Sequence, residues 1–101
     1  MGIIALPSAD GKELTLRIEG RFDFSTHQAF RRAYEETVST PERYIVDLAQ
    51  TTYVDSAALG MLLLLRDHAG GDQANVRLIN CGAALREIFE FAQFNVLFTL
   101  R

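Results

Sequence analysis

From Ala57 to Leu65 the chain runs nine residues without a charge, AALGMLLLL, directly after the polar pair Asp55–Ser56 and directly before Arg66, Asp67 and His68. Such a run has to leave water, and its length decides how. Crossing a bilayer takes roughly 20 apolar residues, so membrane insertion is excluded. Alanine, leucine and methionine favour helix, and a helix over 57–69 extends about 20 Å. Because its start is apolar nearly all round, this helix is expected to be largely covered. Gly60 inside it costs about 1 kcal/mol relative to alanine. Close approach of the helix to a sheet is the expected reason; a flat surface beside Ser56 is the alternative.

The rest of the chain supplies the sheet. IIALP (3–7) is a short apolar run, SADG (8–11) has turn chemistry, and Leu14, Leu16 and Ile18 alternate with Thr15, Arg17 and Glu19 as in a half-buried strand. The two runs form a hairpin. The period then changes. Ala29, Phe30, Ala33, Tyr34, Thr37 and Val38 recur at helical spacing, Ser25 with Gln28 matches a capping box, and Pro41 marks the far end. RYIVDL (43–48) reads as a strand buried on both faces, VRLIN (76–80) as a further strand, and VLFTL (96–100) as a last short one. Between them AALREIFEFAQ carries a helical face of Ala84, Leu85, Ile88, Phe89 and Ala92, with Phe91 off that stripe, either covering the core edge or marking a dimer face. The predicted order is β-β-α-β-α-β-α-β. It describes one α/β domain over residues 1–101, a mixed, mostly parallel sheet of about five strands with helices packed against it.

Several function classes drop out. Net charge is −3 and no run of lysine or arginine exists, so nucleic acid is not an expected partner. Two histidines and one cysteine, none at ligand spacing, leave no metal site. AGGDQAN follows a helix rather than a strand and lacks lysine, so it is no phosphate loop, and no cofactor is implied. The lone Cys81 reads as a half-buried thiol. With no charged segment leading an apolar one at the start, a cytoplasmic setting is expected.

Asp55, Ser56 and His68 are the residue types of a hydrolytic triad, but 12 residues of helix place His68 about 18 Å from Ser56, beyond hydrogen-bond reach. No G-x-S-x-G elbow is present. An enzyme is therefore not expected. The structural role open to Asp55 and Ser56 is a helix N-cap. That role is compatible with a second one, because a helix N-terminus tolerates an added phosphate.

The stretch VDLAQTTYVDSAALGMLLLL resembles the signature of the STAS domain, the fold of the bacterial (SpoIIAA-like) anti-sigma factor antagonists: a strand ending in V-D-L, a short turn, then D-S, two small residues, Leu and Gly. GRFDF (20–24) is similar to the family's G-R-L-D-F, and VRLIN, a helix and FNVLF (94–98) resemble its closing segment, so the likeness covers nearly the whole chain. The resemblance implies a phosphorylation switch with Ser56 as acceptor. Unphosphorylated, such a protein binds an anti-sigma factor, itself a serine kinase of the histidine-kinase-like ATPase fold, and so frees a sigma factor; a PP2C-type phosphatase resets it. Partner contact is implied at Asp23, Asp55, Ser56, Ala57, Ala58 and Gly60. Ala58 stands where many members carry glycine, and is expected to stiffen the helix start. Two other family roles are implied as alternatives: a non-switching STAS subunit of a membrane transporter ATPase complex, and a nucleotide-binding stress-signalling protein. A monomer or weak dimer is expected.

Overall fold

Alternation dictates the first element pair. Leu14, Leu16 and Ile18 lie on one side of β2 (Glu13–Phe22) and are buried, whereas their neighbours are only half-covered. β1 (Gly2–Pro7) runs antiparallel beside it, setting Ile3, Ala5 and Pro7 opposite Ile18, Leu16 and Leu14. The turn between them is closed by Ser8, whose N–H donates to Glu13 O (2.8 Å) and whose Oγ donates to Asp10 (2.7 Å). The computed structural model describes residues 2–37 and 40–101.

Every other strand pairing is parallel. β3 (Arg43–Asp47) lies along β2, β5 (Val76–Ile79) along β3, and β6 (Thr99–Leu100) along β5. β3 ends at Asp47, the chain turns at Leu48–Gln50, and it returns to the side of β2 as β4 (Thr51–Val54), which pairs with the last residues of β2. Gly20 allows this second pairing. It sits in the left-handed region (φ +85°), the register shifts between Gly20 and Arg21, and its N–H donates to Gln50 O (2.9 Å). A side chain in that conformation costs about 1–2 kcal/mol. The expected mostly parallel sheet with an antiparallel edge is therefore found, with one more strand than expected.

The helices are α1 (His27–Glu35), α2 (Ser56–His68), α3 (Ala83–Phe91) and the single turn α4 (Phe94–Leu97). They close one face of the sheet. On that face Leu14, Tyr44 and Val76 form one row across three strands and Leu16, Val46 and Leu78 the next. Phe30 and Tyr34 from α1, Ala58, Met61, Leu62 and Leu65 from α2, and Phe89 from α3 pack onto these rows. The opposite face carries Thr15, Arg17, Ile45, Asp47, Arg77 and Ile79, all half-buried, with Arg17 and Asp47 3.7 Å apart. Strand 43–47 is thus buried on one face, not both. Its apolar run was misleading because Ile45 lies among charged neighbours on the open face.

Four further expectations change. α1 ends at Glu35, so Thr37 falls beyond it; Val38 lies outside the described residues, and Ala29 is exposed. The stripe expected on α3 buries Phe89 fully and Leu85 partly, while Ala84, Ile88 and Ala92 stay exposed. The strand expected at 96–100 is mostly helical turn. Gln93 takes a left-handed conformation (φ +61°), which folds Phe94 back onto Phe89 (ring centroids 5.9 Å) and Phe98 onto Phe94 (5.2 Å). Burying both rings at i, i+4 outweighs the β-propensity of this segment. Finally, α2 is not covered all round: Leu63 and Leu64 are exposed.

These two faces of α2 separate in stability. Leu62 is fully buried, so Leu62→Ala should destabilise by about 2–5 kcal/mol. Leu64 is 59% exposed, and Leu64→Ala should stay within about 0.5 kcal/mol of the parent. Urea unfolding of the two variants checks this, and equal losses would contradict the assigned faces.

Candidate functional site

Phe22 and Val54 are register partners on adjacent parallel strands, so Asp23 and Asp55 leave the sheet side by side at its carboxyl end. Neighbouring strands run about 4.8 Å apart. Both aspartates are extended and both cap a helix start. Asp55 Oδ1 accepts the Ala58 N–H (2.9 Å), a cap whose loss costs about 0.5–2 kcal/mol. Asp23 caps the 3-10 turn Phe24–Thr26 that runs into α1: its Oδ1 accepts from the N–H (3.0 Å) and Oγ (2.5 Å) of Ser25, and its own N–H donates to Thr26 Oγ1 (3.3 Å). The box expected from Ser25 and Gln28 is therefore built two residues earlier, from Asp23 and Thr26. Aspartate, with two acceptor oxygens, takes the capping role, and Ser25 becomes one of its donors.

Two further residues join the corner. Arg21 and Tyr53 are register partners two residues before the aspartates. The Arg21 guanidinium lies 3.9 Å above the Tyr53 ring, while its Nε donates to Asp23 Oδ2 (3.1 Å). Sequence reasoning missed both. The available signal was their shared offset of two from Asp23 and Asp55, which places all four along one strand pair. The Ser25 hydrogen bonds, and then Arg21, hold the Asp23 carboxyl below the usual aspartate range despite partial desolvation.

Ser56 is the first residue of α2 and is exposed. Among the described residues its hydroxyl has no hydrogen-bond partner, since Asp55 alone supplies the cap. Ala57 beside it is half-buried. Ala58 is fully buried, so its methyl seats the helix on the core rather than facing outward. Gly60 is exposed, and a Cβ there would meet nothing within 4 Å. Close approach to the sheet is thus not its reason; it leaves a flat step on the outer face of α2, between Ser56 and the exposed pair Leu63–Leu64.

The remaining candidates lie elsewhere. His68 occupies the opposite end of α2 from Ser56, packed on Tyr34 (4.9 Å) and Tyr44 (6.2 Å). His27 stacks on Phe24 (4.6 Å), with Nδ1 2.7 Å from Phe24 O. Cys81 is half-buried, and burial pushes its thiol pKa up. Phe91 is 92% exposed and does not cover the core edge.

Comparisons with known proteins identify the family and the fold. The family described as "Mlab, STAS domain" matches residues 5–100. A STAS-domain containing protein of Pseudomonas aeruginosa (strain UCBPP-PA14) is 59% identical over 100 residues, 99% of each chain. The chain belongs to the STAS domain family. Its fold is shared with the Bacillus cell fate determinant SpoIIAA in the phosphorylated form (14% identical, 99% of this chain and 91% of that one, TM-score 0.73). A sulfate transporter family protein from Wolinella succinogenes has it too (13% identical, 91% of this chain and 74% of that one, TM-score 0.76). Among the described residues of this STAS chain, no helix is long and apolar enough to cross a membrane.

The Asp23 corner gives a pH-dependent readout. A carboxyl held below its ordinary pKa adds stability above the unfolded value and loses it as pH falls through the folded one. The Ser25 amide shift should therefore titrate with a midpoint below the ordinary aspartate value of about 3.9. A midpoint at or above that value would contradict the hydrogen bonding described for this corner.

Proposed function

We propose that this STAS chain is an anti-sigma factor antagonist whose docking is switched off by phosphorylation of Ser56. One observation carries the reading: an exposed serine hydroxyl on the first turn of α2, without a partner among the described residues, beside a cap supplied by Asp55. A serine that is not the cap can be modified without unravelling the helix it starts.

The surroundings make that modification consequential. A phosphate adds about −1.5 to −2 charges. The helix N-terminus favours it, through amides that have no acceptor within the helix and through the dipole. The charge nevertheless arrives next to Asp55 and Asp23, the latter ionised and only partly offset by Arg21. A partner docked on Asp23, Asp55, Ala57 and the flat step at Gly60, over a helix seated by Ala58, would have to desolvate that crowded charge. A loss of about 3 kcal/mol weakens binding more than a hundredfold, which is enough for a switch.

On this reading the partner is an anti-sigma factor that is also a serine kinase of the histidine-kinase-like ATPase fold. A PP2C-type phosphatase reverses its action, and the chain itself is a ligand and substrate rather than an enzyme. The fold alone does not choose between this role and that of a STAS subunit in a transporter complex, since a sulfate transporter family protein shares it. The free Ser56 hydroxyl favours the switch, because a permanent subunit does not need it.

Co-purification from the native cell with wild type, Ser56→Ala and Ser56→Asp chains tests the proposal. Wild type and Ser56→Ala should recover the kinase, and Ser56→Asp should lose it by about a hundredfold in affinity with unchanged circular dichroism. The purified kinase should then add one phosphate to wild type and none to Ser56→Ala. Recovery of a transporter ATPase equally by all three chains would overturn it.

A further inference from the structure

Arg21 stands opposite Tyr53 on the β2–β4 pair, and its guanidinium lies 3.9 Å above the centre of that ring. The side chain has therefore crossed from β2 over β4, the strand that runs into Asp55 and Ser56. It also leans forward along the chain, because its Nε donates to Asp23 Oδ2 (3.1 Å) two residues ahead. The guanidinium is thus held between the Tyr53 ring and the carboxyl end of the strand pair. Ser56 follows Tyr53 by three residues, which span at most about 10 Å. A phosphorylated serine and an extended arginine close a gap of that size from its two sides.

The tie to Asp23 is weak. The Arg21 side chain is 62% exposed, and an exposed ion pair contributes little once solvent screening and side-chain entropy are counted. Asp23 does not depend on it, because the Ser25 hydroxyl does more than Arg21 to hold that carboxyl ionised. The bond engages Nε, one of the five donors that a guanidinium carries. A phosphate offers more charge than a carboxylate and three acceptor oxygens, and a planar guanidinium meets it with two parallel N–H bonds. Arg21 is the cation bonded into this corner, whereas Asp23 and Asp55 would repel a phosphate.

We propose that Arg21 is the counter-ion of a phosphate on Ser56, and that phosphorylation draws it from Asp23 to the phosphate. This rests on the reading of Ser56 as the acceptor and names a positioning residue for it. One phosphate then changes the corner twice: it brings its own charge, and it strips Asp23 of its arginine. A partner meets a bare carboxylate beside a phosphate where the unmodified chain offers a paired one. The exposed Tyr53 ring loses the cation above it and becomes part of the altered surface.

The test installs phosphoserine directly at position 56 of the full chain, so it needs no kinase. The phosphorus resonance followed through pH gives the second pKa of the phosphate, about 6 for a free phosphoserine. Arg21→Gln should raise that pKa by at least about half a unit over the unsubstituted chain, roughly threefold in the dissociation constant. Arg21→Lys, which keeps the charge but not the fork, should recover part of the difference. Asp23, Asp55, His27, Glu87 and the start of α2 are common to all three chains, so the difference isolates Arg21. Arg21 is exposed, and its replacement leaves the core untouched. In the unsubstituted chain the Arg21 Nε–H resonance should move with the phosphate's own midpoint. Equal phosphate pKa values with arginine and glutamine, no recovery with lysine, or an Nε–H resonance indifferent to the phosphate would overturn the proposal. Failure here is distinct from failure of the Ser56 reading, which is decided by whether a kinase is recovered and modifies Ser56.

Discussion

β2 is ten residues long because it serves two parallel neighbours in succession, β3 along its first part and β4 along its last. The chain needs a break to achieve this. It leaves the sheet at Leu48–Gln50, and β2 shifts register at Gly20, where the left-handed backbone is tolerated without a side chain. Everything distinctive about the site follows from the resulting pairing of Phe22 with Val54. Two strands that end in register deliver two aspartates to one corner, and each aspartate starts a helix. Arg21 and Tyr53, one step back in the same register, brace that corner from the side.

α2 then links the site to the core. Ala58, Met61, Leu62 and Leu65 anchor it across the buried face of the sheet, and the burial of each large side chain contributes about 1.5–3 kcal/mol. Its outer face keeps Ser56, Gly60, Leu63 and Leu64 in solvent. A helix held this firmly does not need to move when its first residue changes charge. The switch proposed for Ser56 therefore acts through local repulsion and desolvation, with the fold as a fixed platform. The same rigidity carries His68, at the helix's far end, into the ring cluster with Tyr34 and Tyr44.

Much of this was legible beforehand, for identifiable reasons. Leu14, Leu16 and Ile18 alternate cleanly because one sheet face is buried and the other is wet, and the apolar run after Ser56 has helical composition. Asp55 as a cap could be read from residue type. Other features depended on contacts far apart in sequence. β4 is four residues long and follows another strand after a short turn, so no periodicity announces it. Gly60 looked like a close-packing glycine until its surroundings proved empty. Ser25 looked like the cap of α1 because local patterns do not reveal that Asp23, fixed by the strand pairing, is better placed. The last segment looked like a strand because the i, i+4 spacing of Phe94 and Phe98 competes with a β-rich composition.

The central claim is that phosphorylation at Ser56 acts on one charged corner of an unchanged fold. The most direct measurement is a comparison of amide spectra for the unmodified chain and the chain carrying phosphoserine at position 56. The account predicts shifts confined to the start of α2, the Asp23–Thr26 turn and the Arg21–Tyr53 pair, with the rows through Leu16, Val46 and Leu78 undisturbed. Shifts spread through those core rows, or none around Asp23 and Arg21, would contradict it.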